Sequence, residues 1–126
     1  MKHILFPTAI LLTLFGLSLW NAQIVADHVE SWCSELEAIQ TSAEQEDWDD
    51  VTRSLEHVYE AWSKQQTYFH IMIEHAELDA AEALFAKSAS FAYEQDTAEF
   101  RANTAELLSQ LYLLREMEEI SIKNIL

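Results

Sequence analysis

Apolar and polar positions divide this chain into two unequal regimes that meet at Asp27. From His3 to Ala26 there is no Asp, Glu, Lys or Arg, and the stretch from Ile4 to Trp20 reads ILFPTAILLTLFGLSLW. A helix from Ile4 to Ala26, at about 1.5 Å per residue, reaches roughly 34 Å and exceeds a hydrocarbon core of about 30 Å. Ten Leu, Ile or Phe side chains lie between Ile4 and Leu19. At about −0.3 to −0.6 kcal/mol each they contribute roughly −3 to −6 kcal/mol toward insertion, with no ionised side chain opposing them. Pro7 falls in the first turns, where a missing N–H costs little, and Trp20 stands near the far end, where an aromatic ring favours the interface.

A cleaved signal peptide is the rival reading, because Lys2 precedes an apolar stretch that begins at once. Cleavage needs small residues at the first and third positions before the cut. Gly16-Leu17-Ser18 lies inside the apolar run, and Trp20-Asn21-Ala22 has a bulky residue where a small one is wanted. The run is therefore read as an uncleaved anchor over residues 1–26, with cleavage as the alternative. Lys2 lies on one side and the first basic residue beyond the run is Arg53, so the amino end is expected in the cytoplasm and residues 27–126 outside it.

Beyond Asp27 the apolar positions take a helical period. Val25, Val29, Trp32, Leu36 and Ile39 recur at steps of four and three and prolong the anchor helix to about residue 43. Asp47, with Asp49 and Asp50 after it, signals a new start, since carboxylates complement a helix N-terminus. Trp48, Val51, Leu55, Val58, Trp62, Phe69, Ile73 and Ala76 then form one stripe that lapses at Gln65 and Gln66. Asp49–Arg53 and Glu60–Lys64 are charge pairs of favourable order on its polar face. Leu78, Ala81, Leu84, Phe85, Ser88, Phe91 and Ala92 describe a third helix. Asp96 with Glu99 opens a fourth, striped by Phe100, Thr104, Leu107, Leu111 and Leu114.

The pattern predicts an all-α fold: an N-terminal transmembrane helix continuing into an acidic, extracytoplasmic bundle of three to four antiparallel helices. Their expected ranges are about 27–43, 47–76 with a bend near 65, 78–94 and 97–118. An unbroken helix from Asp47 to Ala76 would be about 45 Å long against about 25 Å for Asp27 to Ala43, so it must bend or tilt to stay clear of the bilayer. A weaker echo at an offset of 49 residues aligns Asp47, Val51, Val58, Tyr59 and Trp62 with Asp96, Phe100, Leu107, Leu108 and Leu111. It fits either a repeated hairpin or shared capping and packing grammar.

Composition sharpens this picture. The chain holds 126 residues, one Gly and one Pro, and both of these lie before Asp27. Without glycine or proline, the remainder reads as helices joined by short turns. With Lys2 set aside, 22 acidic and 6 basic residues leave a net charge of −16 beyond Ala26. That charge excludes nucleic acid as a partner and disfavours anionic lipid headgroups. Basic proteins, divalent cations and uncharged apolar grooves remain. Cys33 is alone, so no internal disulfide is available; it reads as a half-buried thiol beside Trp32, or as a link between chains in an oxidising compartment.

Chemistry-bearing constellations are few. His70, Glu74 and Glu77 share a face if the second helix is continuous, with His75 and Asp79 pointing the other way. A di-iron bundle needs Glu-x-x-His twice and zinc needs three or four converging ligands, with only His57 and Cys33 left to help. No glycine supports a nucleophile elbow or a phosphate loop. No enzyme, cofactor or metal site is expected. The stretch Thr67–Ile73 is apolar on both faces, and Tyr68, Phe69, Ile71, Met72 and Ile73 are either the most buried part of the bundle or a contact patch for a partner or the membrane surface.

The span ending in GLSLW, the EDW that opens the next helix, Trp62, the run His75-Ala76-Glu77-Leu78-Asp79 and the terminal Asn124-Ile125-Leu126 together resemble the bacterial domain-of-unknown-function family 4363 over essentially the whole chain. The resemblance implies a small bacterial protein with one membrane anchor and an extracytoplasmic helical domain. It brings no catalytic residues, and it directs the search for a partner toward small multi-pass membrane proteins. The favoured expectation is an anchored interaction module, an accessory subunit or partner of an envelope or membrane protein, with a homo-oligomer as one form. The alternative is an extracytoplasmic ligand- or divalent-cation-binding sensor.

Overall fold

A computed structural model describes residues 2–125, apart from the side chains of residues 72, 121, 122 and 125. It is all-helical among those residues, with five helices in the order α1 (Lys2–Glu44), α2 (Trp48–Lys64), α3 (Gln66–Met72), α4 (His75–Glu94) and α5 (Thr97–Ile125). The apolar run and the first amphipathic stripe form one unbroken helix of 43 residues. By length and composition α1 is able to cross a membrane, and its apolar window contacts nothing else in the fold. The lower half of α1, up to Trp20, stands bare, whereas Val25, Val29, Trp32, Leu36, Ile39 and Ala43 are buried.

Helices α1, α2, α4 and α5 pack as a four-sided ring of antiparallel neighbours. Each seam is registered by a polar contact: Ser42 Oγ to Asp50 Oδ2 at 2.7 Å for α1–α2, Trp62 Nε1 to Glu82 Oε2 at 2.9 Å for α2–α4, Gln110 Nε2 to Glu77 Oε2 at 2.8 Å for α4–α5, and Gln40 Nε2 to Thr104 Oγ1 at 2.9 Å for α5–α1. Among the described residues the backbones of the diagonal pairs α1–α4 and α2–α5 stay apart, although Trp48 of α2 reaches across to Phe100 of α5, ring centroids 5.8 Å apart. A buried polar pair, Asn103 Nδ2 to Ser88 Oγ at 2.7 Å, fixes α4 against α5 inside an otherwise apolar core, a role for which such pairs are suited.

The two turns that close the helical hairpins have the same construction. In the first, Glu46 N–H bonds Ala43 O at 3.0 Å and Asp47 N–H bonds Ser42 O at 3.0 Å. In the second, Gln95 N–H bonds Ala92 O at 3.1 Å and Asp96 N–H bonds Phe91 O at 3.0 Å. Both are Schellman caps, with Glu46 (φ 59°) and Gln95 (φ 57°) in the left-handed region. Asp47 and Asp96 then cap α2 and α5, accepting from Asp50 N at 3.3 Å and Glu99 N at 3.1 Å. The offset is again 49 residues, and among the described residues ten buried pairs obey it, from Val29 and Leu78 through Leu36 and Phe85 to Phe69 and Glu118.

The expected second helix, 47–76, is corrected in two places. At Gln65 the amide bonds Trp62 O at 3.0 Å, a tighter bond than the α-helical ladder, and α2 ends opposite His28. Seventeen residues give α2 about 25 Å, which matches the buried length of α1. At Ile73 and Glu74 the backbone is extended (φ −127°, ψ 148° and φ −62°, ψ 137°), and α4 begins at His75, three residues earlier than the stripe suggested. Ala76 therefore belongs to α4 and is exposed. Arg53 pairs with Asp50 at 3.4 Å in place of Asp49, and Cys33 is fully buried, which closes off a link between folded chains through it.

Left-handed backbone costs a non-glycine residue about 1–2 kcal/mol, partly offset by glycine's greater entropy when unfolded. Gln95→Gly is therefore expected to stabilise the chain by roughly 0.5–1 kcal/mol, while Gln95→Ala should bring no gain. Chemical denaturation of the full chain in detergent micelles measures the difference.

Candidate interaction surfaces

Two surfaces stand out, and a single aromatic cluster supports both. Trp32, Trp62 and Phe69 meet with ring centroids 5.6–5.8 Å apart, and the chain of rings continues through Phe85 to Tyr59. Edge-to-face and tilted packing at such distances adds about 0.5–1.5 kcal/mol per pair to the burial of the rings. Trp62 and Phe69 are completely buried.

The first surface is the end of the bundle from which the bare half of α1 projects. Helix α3 closes this end. Phe69 inserts among His28, Trp32 and Trp62, the Tyr68 hydroxyl donates to Asn21 Oδ1, and Ile73 is buried behind them. Two residues from Phe69, about 200° around the helix, Ile71 is 78% exposed. The apolar stretch Tyr68–Ile73 is thus divided: Phe69 and Ile73 lie in the core, Tyr68 is half-buried, Ile71 faces outward, and the side chain of Met72 lies outside the described residues. Burial pushes the Tyr68 hydroxyl pKa up, with the nearby Glu118 charge adding to it.

The break between α3 and α4 also rearranges the expected ligand residues. Glu74 sits at the cap of α4, so His70, Glu74 and Glu77 do not share a helix face. His75, expected to point away, turns back on His70 with Nδ1 to Nδ1 at 2.7 Å. Glu77 is taken up by Gln110, and His57 faces Glu35 at 3.4 Å. Among the described residues no three His, Cys, Asp or Glu side chains converge on one point.

The second surface is the seam between α2 and α4, the least closely packed of the four. It holds a groove of about 340 Å³ floored by Leu55, Tyr59, Phe85, Ala86 and Ala89, with Glu56 and Glu82 at its rim. At the positions that correspond by the 49-residue offset, the tight α5–α1 seam has Thr104, Ala105 and Cys33 where this one has Leu55, Glu56 and Glu82. The bulkier set holds α2 and α4 apart. Glu82 is fixed by three neutral donors: the Tyr59 hydroxyl, Trp62 Nε1 at 2.9 Å and Gln66 Nε2 at 2.7 Å. Its hydrogen bond raises the Tyr59 pKa, but no cation forms a salt bridge with it among the described residues. Sequence reasoning missed this groove, because its walls come from helices 20 or more residues apart and its opening depends on side-chain bulk rather than on hydrophobic period.

Burial also raises the pKa of Cys33, to about 11, which leaves it a poor nucleophile at neutral pH. Glu118, buried near the α3 end, has its carboxyl pushed above the usual range by loss of hydration. A carboxyl whose pKa is raised by folding contributes its stability at low pH and loses it as pH rises through the folded value. Glu118→Gln is therefore expected to melt at a higher temperature than the parent at pH 7, with the gap closing toward about pH 4. Paired melts of the two full-length chains across that range provide the measurement.

The model of a protein family described as "Domain of unknown function (DUF4363)" matches residues 19–125. No curated protein and no solved structure matches the chain.

Proposed function

The chain belongs to the DUF4363 family, and from that premise we propose that it is a single-span, membrane-anchored interaction module that acts as an accessory partner of another envelope or membrane protein. The carrying observation is the division of α1, which buries Val25 to Ala43 in the core yet leaves Ile4 to Trp20 uncovered by anything in its own fold. Lipid is the natural cover for such a length of apolar helix. With Lys2 retained inside, the acidic helical unit stands outside the cytoplasm.

The α2–α4 groove is the docking surface of this reading, and its occupant is an apolar helical segment of the partner that carries one Lys or Arg. Leu55, Phe85 and Tyr59 offer the apolar floor, and Glu82 offers a carboxylate held in place by neutral donors. A fixed carboxylate loses little further entropy on meeting a cation, and a charge-assisted hydrogen bond is roughly twice as strong as a neutral one.

A photo-activatable crosslinker placed at the exposed Ala86, used in intact membranes, tests both elements. The expected adduct is with another membrane or envelope protein, through a helical segment bearing Lys or Arg, and Glu82→Gln should reduce its yield about tenfold, the loss of one charge-assisted contact. Adducts confined to a second copy of this chain would replace the accessory-partner reading with self-association.

A further inference from the structure

The outward face of α3 and the point where α1 leaves the fold are neighbours, and their chemistry is matched. Asn21, which accepts the Tyr68 hydroxyl, directly follows Trp20, the last residue of the bare apolar run. Phe69 points into the bundle toward Trp32 and Trp62, so Ile71, on the opposite side of α3, points away from the core at the end from which the bare half of α1 projects. Among the described side chains of α3 the exposed ones are Thr67, His70 and Ile71, and none of them is acidic. They belong to the stretch Ala61–Ile73, the longest without Asp or Glu beyond Asp27, which also includes Lys64. The acidic residues of this unit, including Glu74 after Ile73 and Glu118 near Tyr68, would be repelled by anionic headgroups, which leaves the outer face of α3 as the uncharged contact.

We infer that α3 is a membrane-contacting base: its outer face, with Ile71 at the centre, rests in the headgroup layer of the bilayer that α1 crosses. This rests on the anchored reading of α1. Ile71 enters the boundary between headgroups and acyl chains, where amphipathic helices bury their apolar side chains, and the Tyr68–Asn21 bond holds α3 at that depth. The bundle is then supported at two points, α1 and α3, which fixes the direction in which the α2–α4 groove opens.

Spin labels attached to single cysteines decide the matter in the full chain carrying Cys33→Ala, reconstituted in vesicles of phosphatidylethanolamine and phosphatidylglycerol. The labelled substitutions are Leu12→Cys in the span, Ile71→Cys, and Tyr93→Cys, which is 89% exposed at the opposite end of the bundle. Collision with dissolved oxygen, which concentrates in lipid, is compared with collision with a water-soluble nickel chelate. The expected result is an oxygen-to-nickel ratio at position 71 severalfold above that at position 93 and approaching that at position 12. A ratio at 71 equal to that at 93, with position 12 in lipid, overturns the base and leaves the anchor standing. Water access at all three positions removes the anchor, and the base with it.

Discussion

The unbroken continuity of α1 is the constraint on which the rest of the structure depends. One helix has a bare apolar half and a half whose stripe, Val25 to Ala43, forms a wall of the core, so the height of the bundle is set by where the apolar run ends. No hinge separates the two: Gly16 lies within the bare half and no glycine or proline follows it. A straight α2 continuing to Ala76 would equal the 29 residues of α5, which runs on to Ile125 past its expected end at residue 118, and would overshoot that height by about 20 Å. The chain resolves the conflict at Gln65, where α2 stops, and α3 closes the end of the core by inserting Phe69 between Trp32 and Trp62.

The second determinant is the near repetition of one helical hairpin. Identical Schellman turns at Glu46 and Gln95, each followed by a capping Asp, deliver two hairpins whose buried positions agree at an offset of 49. Packing two like hairpins produces two like seams, α2–α4 and α5–α1, yet only one of them closes. Small residues at Thr104, Ala105 and Cys33 let α5 and α1 approach, and Leu55, Glu56 and Glu82 keep α2 from α4. The groove follows from that local departure from symmetry. On the proposed reading it is also the place where the module meets its partner, oriented by an anchor and a base at one end.

Much of the fold was legible in the chain because it depends on period and capping, which are local. The stripes on α1, α2 and α5, the Asp47 and Asp96 starts and the break near Gln65 all follow from residues within a few turns of one another. What failed was the connection after Ile73. Nothing in Ile73-Glu74 resembles a turn signal, and two extended residues suffice to end α3, move Ala76 to α4 and bring His75 against His70. The apolar stretch Tyr68–Ile73 was recognisable as two-sided, but a short helix on its own does not reveal which side meets the core. That choice is made by Trp32 and Trp62, which lie 37 and 7 residues from Phe69. The groove was illegible for the same reason, being a property of a pair of helices.

An anchored module requires α1 to remain whole and to remain in lipid. Its most direct test is the intact mass of the chain recovered from cell membranes, taken together with its resistance to alkaline extraction. A chain that retains the bare apolar half up to Trp20 and stays with the bilayer is the result expected of an anchored module. A chain that begins beyond Trp20 and leaves with the soluble fraction would contradict it.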